Sequence, residues 1–225
     1  MGKPFLTSVF QIVRHSTYFT PRAEKGRLTL PGVGIAYRTG EIAGENFVKH
    51  AGDFMERGVS VKVITSPTVR TRESAQEFLK TFLATPFGKN RRLASVTTVK
   101  RPSFTSKLKE YERLTDEVKA ILKRGNAGKI NELRKKWEDG EYSGLEPKEK
   151  VEARHQFILD LICKKRAESK NATPKASVDF YHISMHGWIL ENLLEKISGK
   201  HYSKIGGPFQ TGEGFQVFVY NNGKI

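Results

Sequence analysis

The sequence predicts a three-layer α/β/α domain, a mostly parallel sheet with helices on both faces. Two observations carry this expectation. Short apolar runs bounded by polar or turn residues recur along the chain, as buried parallel strands do. Segments of helical period separate them, the alternation that builds a parallel sheet. The first run, Val9 to Val13, ends at Arg14-His15. Ser16 to Thr39 holds prolines and glycines with little period and reads as a long loop. From Gly40 to Gly58 the apolar residues Ala43, Phe47, Val48, Ala51, Phe54 and Met55 repeat at three and four, the stripe of a buried helix face. Val59 to Thr65 is the second strand. Ser66 is expected to cap the next helix, with Pro67 at its first position, where a missing N–H costs little. Ala75, Phe78, Leu79, Phe82 and Leu83 form that helix's apolar stripe, and Leu93 to Val99 is a third, β-branched strand.

The middle of the chain reads differently. Leu108 to Leu122 has helical spacing, Gly125-Asn126-Ala127-Gly128 breaks it, and a short helix follows over Ile130 to Trp137. Val151 to Arg166 is another helix, with Phe157, Ile158, Leu161 and Ile162 expected to face inward. Residues 102–170 are therefore expected to form a mainly helical insertion over the active rim of a single domain spanning residues 1–225. Val178 to Met185 is the next strand, and Ile189, Leu190, Leu193, Leu194 and Ile197 stripe the helix after it. Alternating Phe215, Val217 and Val219 mark an edge strand.

Composition narrows the function classes. The 225 residues carry a formal charge of +15 and a pI near 9.9, a balance that steers anions toward the surface. Basic clusters at Lys89-Asn90-Arg91-Arg92, Arg134-Lys135-Lys136 and Lys164-Lys165-Arg166 are dispersed and sit beside acidic residues, as on solvated helix faces. No nucleic-acid motif accompanies them, so no specific nucleic-acid partner is expected. No apolar stretch is long enough to span a bilayer, the amino terminus lacks a signal-peptide pattern, and Cys163 stands alone, so a reducing, cytoplasmic setting is expected. Leu30-Pro31-Gly32-Val33-Gly34 lacks the third glycine and the preceding strand of a dinucleotide loop. His182 and His186 lie on one strand, roughly 13 Å apart, too far to share a metal ion. His182 is assigned no role, and His50, His155 and His201 are read as structural or surface residues.

Four residues remain: Arg14, His15, Arg70 and His186. Singly each has an ordinary explanation, since Arg14 could pair with a carboxylate and His15 could cap a turn. Jointly they occupy the ends of three predicted strands, where open α/β sheets bind ligands. Two imidazoles among guanidiniums describe a phosphate site. Arg14-His15 after a buried strand, Ser66-Pro67-x-x-Arg70 with Ser74-Ala75 following, and His186-Gly187 after a late strand together resemble the histidine phosphatase superfamily, which includes the phosphoglycerate-mutase-like enzymes.

The resemblance implies a scheme. His15 is the nucleophile that becomes a phosphohistidine; Arg14 and Arg70 hold the nonbridging oxygens with their planar donor forks; His186 adds a donor and stabilises charge on the transferring group. Leu108-Lys109-Glu110 matches the family's acid, so Glu110 is expected to protonate the leaving oxygen and then activate water, with Glu112 as the fallback. No metal and no cofactor enter this scheme. Two departures stand out: Ser16 replaces the usual glycine after Arg-His, and Met185 occupies a position where serine is common. The expected activity is hydrolysis of a small, multiply anionic phosphate ester, a metal-independent phosphomonoesterase. A phosphoglycerate mutase is the alternative within the family, and a non-catalytic module binding phospho-ligands or polyanions is the alternative outside it. Residues 107–144 lack the long motifs of the mutases, which favours the phosphatase.

Overall fold

A computed structural model describes residues 4–15, 27–51, 57–65, 68–85, 93–100, 127–141, 148–205 and 209–225. Five strands form one sheet: β1 (Leu6–Arg14), β2 (Val59–Thr65), β3 (Leu93–Lys100), β4 (Val178–Met185) and β5 (Gly214–Tyr220), in the spatial order β3-β2-β4-β1-β5. The first four run parallel and β5 closes one edge antiparallel to β1. The described helices are α1 (Leu30–Ala51), α2 (Val69–Ala84), α3 (Ala127–Glu138), α4 (Lys148–Ser169) and α5 (Gly187–Ser198). Among the described residues none of them is long and apolar enough to cross a membrane.

Strand alternation divides the core into two. On one face Leu6, Val9, Val61, Val63 and Phe180 pack against Ala43 and Phe47 of α1 and Phe78 and Phe82 of α2. On the other, Phe10, Ile12, Tyr181 and Ile183 meet Ile158 and Ile162 of α4, Leu190 and Leu193 of α5, and Leu133 and Trp137 of α3. The three-layer expectation therefore holds, with α4 serving as one of the covering helices.

Several boundaries differ from the sequence reading. The expected loop through Thr39 becomes helical at Leu30, because Thr29 Oγ1 accepts the Gly32 N–H at 3.0 Å, an N-cap that starts the helix. Pro31 then falls in the first turn, where no N–H is required. A glycine of this helix serves packing: a Cβ on Gly40 would come 2.4 Å from the Phe78 carbonyl oxygen. Thr68, not Ser66, is the N-cap of α2, and Ser66 and Pro67 lie outside the described residues. Ala127 and Gly128, expected to break a helix, begin α3. Phe157, expected to face inward, is exposed while Ile158 and Ile162 are buried. Arg134, expected on a solvated helix face, is 2% exposed. The helix expected over 108–122 lies outside the described residues.

Strand register decides where the rim residues emerge. Arg14 pairs with Met185, and Thr65 pairs with Ser184. The carboxyl ends of β1, β4 and β2 thus stop within a residue of one another.

Candidate active site

Arg14, His15 and His186 sit at two of these aligned strand ends. Arg14 closes β1 and His15 follows it, with its backbone N–H donating to the Met185 carbonyl at 3.0 Å. That bond extends the ladder one step past the strand and fixes where the imidazole begins. On β4, His186 leaves the strand and becomes the N-cap of α5, with φ −111° and ψ 150°; its carbonyl accepts the Leu190 N–H at 3.0 Å. One residue therefore serves as strand end, helix cap and ring carrier. Arg70 is the second residue of α2, the helix that follows β2.

The two rings meet. The centroids of His15 and His186 are 4.8 Å apart with planes at 70°, and both residues are 6% exposed. This spacing lets both imidazoles address a single tetrahedral oxyanion. The amino terminus of α5 begins at His186, and its unsatisfied N–H groups and dipole favour negative charge there.

Arg14 is held more firmly than the sequence suggests. Its N–H donates to the Glu213 carbonyl at 2.8 Å, its carbonyl accepts the Gly212 N–H at 3.0 Å, and Nη1 donates to the Phe209 carbonyl at 2.8 Å. Phe209 in turn donates its N–H to Glu191 at 2.8 Å. Neither Phe209 nor Glu191 was expected at the site. The available signal was Glu191 itself, a carboxylate set inside the apolar stripe of α5.

His182 stands apart from this group. It stacks on Phe78 with centroids 3.8 Å apart, and complete burial pushes its pKa down to about 3, so it is a neutral core residue. Among the described residues, Glu138, Glu195 and His201 bring ligand atoms within 4.8 Å of one another. Each already has polar partners: Glu138 takes Arg134 Nε at 2.6 Å, Glu195 accepts the Tyr202 N–H at 3.0 Å, and His201 lies 3.6 and 3.8 Å from the two carboxylates. The α5 member of the cluster, Glu195, sits in the last turn of the helix, roughly 14 Å along the axis from His186. Glu110 and Glu112 lie outside the described residues, as does Ser16.

No protein-family model matches the chain, and no curated protein matches it by sequence. Solved structures do match. A phosphoglycerate mutase from Bacillus anthracis superposes with a TM-score of 0.56 at 14% identity, covering 96% of this chain and 91% of its own. A mycobacterial glucosyl-3-phosphoglycerate phosphatase gives 0.53 at 14% identity, covering 96% and 95%. YhfR of Bacillus stearothermophilus gives 0.51 at 14% identity, covering 92% and 88%.

Proposed function

Because the chain has the fold of the phosphoglycerate-mutase-like histidine phosphatases, we propose that it is a phosphomonoesterase working through a phosphohistidine. The observation that carries the reading is the 4.8 Å approach of the His15 and His186 rings at the carboxyl ends of two adjacent parallel strands. Phosphoryl transfer needs little beyond positioning and charge stabilisation, and this rim supplies both.

The scheme runs in two displacements. A deprotonated ring nitrogen of His15 attacks phosphorus and forms an N–P bond as the ester P–O bond breaks. An acid gives the leaving oxygen its proton; Glu110 is the proposed donor, with Glu112 as the alternate. Water, deprotonated by the same carboxylate, then attacks phosphorus, breaks the N–P bond and releases inorganic phosphate. Arg14, Arg70 and His186 hold the nonbridging oxygens, and the α5 amino terminus adds to the positive field. The substrate is a small phosphate ester met in the cytoplasm, and the +15 charge supports one carrying several negative charges through steering. The reading requires no metal and no cofactor.

A screen of phosphate esters with the wild type and His15→Ala, each with and without chelator, tests the proposal. Turnover that disappears in the variant and survives chelation supports it. Chelator-sensitive hydrolysis contradicts the metal-free scheme, and turnover unchanged in His15→Ala contradicts the nucleophile. Turnover absent from both proteins, with phosphate esters still bound by His15→Ala, favours the binding module. The likeness to a phosphoglycerate mutase calls for one further arm, incubation of 3-phosphoglycerate with a bisphosphoglycerate primer: formation of 2-phosphoglycerate identifies a mutase.

A further inference from the structure

We infer that Glu191 is a positioning residue for the phosphate-directed Arg14, acting through Phe209; the inference rests on the phosphatase reading above. The contacts form an unbroken series. Arg14 Nη1 donates to the Phe209 carbonyl at 2.8 Å, and the Phe209 N–H donates to Glu191 Oε1 at 2.8 Å. The second carboxylate oxygen, Oε2, accepts from Arg134 Nη1 of α3. Glu191 is 1% exposed and Arg134 2% exposed, and the Arg134 guanidinium also lies 3.4 Å from the Tyr202 ring centroid and donates Nε to Glu138 at 2.6 Å.

A buried ion pair is a poor stabilising device, because desolvating both charges offsets most of their attraction. What this pair accomplishes is geometric. The two oxygens of one carboxylate bind two different segments, the helix α3 and the stretch entering β5. Phe209 is thereby fixed on its amino side by Glu191 and presents its carbonyl to Arg14 from the other. The ring of Phe209, 6% exposed, anchors the same residue in the core around α5.

Glu191 also rides on the helix that His186 caps. It lies just beyond the first turn, next to Leu190, whose N–H closes on the His186 carbonyl. One rigid element thus sets both the imidazole of His186 and, through Phe209, the guanidinium of Arg14. A displacement of about 1 Å in such a group is enough to cost a large factor in rate.

The experiment is a double-mutant cycle on the full chain, using hydrolysis of p-nitrophenyl phosphate and calorimetric binding of tungstate as readouts. The proteins are wild type, E191Q, R14A and E191Q/R14A. A glutamine offers one acceptor oxygen to two donors; the charged Arg134 guanidinium is the stronger donor and keeps it, so E191Q turns its amide NH2 toward the Phe209 N–H and releases Phe209. The expected result is a rise in KM and a weakening of tungstate binding, each about tenfold, with a smaller change in kcat. In the R14A background the same substitution changes either quantity by less than about twofold, because the group it positions is gone. R134Q separates positioning from stability. It leaves Oε1 on the Phe209 N–H, so it lowers Tm while changing KM by less than about threefold. Should E191Q not fold, E191D takes its place in the cycle. Additive effects of the Glu191 and Arg14 substitutions, or a KM change in R134Q as large as in E191Q, overturn the inference and leave the phosphatase reading intact. Neither turnover nor tungstate binding in the wild type overturns both.

Discussion

The two layers that cover the sheet are built on different chemistry. The α1–α2 side is dry and closely packed: Ala43, Phe47, Phe78 and Phe82 fill it, Phe47 and Phe82 meet edge to face at 6.4 Å, and Gly40 and Gly44 let α1 approach α2. Its fully buried ionisable residue, His182, is neutral. The α3–α5 side is as apolar at its centre yet buries the Arg134–Glu191 pair and carries the half-buried Lys62–Asp179–Lys165 group at its margin. This second layer reaches Arg14 through a buried carboxylate, Glu191, by way of Phe209. The contrast teaches that the first layer is held by packing and carries Arg70 on the end of α2, while the second adds a buried carboxylate that braces Arg14 from behind.

The largest effect should come from breaking the charged layer. Arg134→Ala leaves the Glu191 carboxylate buried without its cation, a loss of about 3–5 kcal/mol. Urea denaturation measures it, and a loss below about 1 kcal/mol would mean that Glu191 is reached by water or protonated at no cost.

The dry layer should answer to volume instead. Gly40→Ala places a Cβ 2.4 Å from the Phe78 carbonyl oxygen and 2.6 Å from Thr81 Oγ1, so α1 must shift away from α2. After allowing for the helix preference of alanine, the expected net loss is about 1–2 kcal/mol, with turnover per folded molecule held within about twofold. Gly34, in the same helix, has nothing within 4 Å of a built Cβ, and Gly34→Ala should stabilise by about 0.5–1 kcal/mol. Thermal melts of the two variants decide whether close approach or helix preference governs α1; equal shifts of the same sign refute the packing explanation.

A pH dependence sharpens the comparison further. Burial holds His182 at about 3 in the folded chain, against about 6.5 when unfolded. The unfolded state therefore binds the extra proton first, and the stability from this residue is complete above pH 6.5 and is lost as the pH falls toward 3. Between pH 6.5 and 5 the loss is about 2 kcal/mol. His182→Leu should remove that slope, and Tm measured at pH 7 and pH 5 on both proteins tests it. An unchanged slope in the variant assigns the acid sensitivity to other groups.

Much of this was legible in the chain. β2 and β4 were readable because short segments rich in β-branched and aromatic residues lie between turn signals, and β5 because its apolar residues alternate. That His15 and His186 share one rim was legible from strand ends, since parallel strands present their carboxyl ends on one side; that β1 and β4 are neighbours with Arg14 opposite Met185 was not. The start of α1 was not legible: Pro31, Gly32 and Gly34 crowd its first turns, glycine lowers helix propensity, and the cap that begins the helix is a single threonine, Thr29. Arg134 misleads for a related reason. A cation between Leu133 and two lysines looks solvated until the carboxylate 57 residues away is known to face it. Long-range polar pairing leaves no local period, and so a carboxylate inside the apolar stripe of α5 marked Glu191 without revealing which groups it holds.

The central claim is that His15 carries the phosphoryl group. Brief incubation with a 32P-labelled phosphate ester, acid-free denaturation and peptide mapping test it most directly. The account predicts an acid-labile, alkali-stable label on the peptide containing His15, absent from His15→Ala. Label on a serine or another residue, or hydrolysis with no labelled protein under rapid quench, would contradict it.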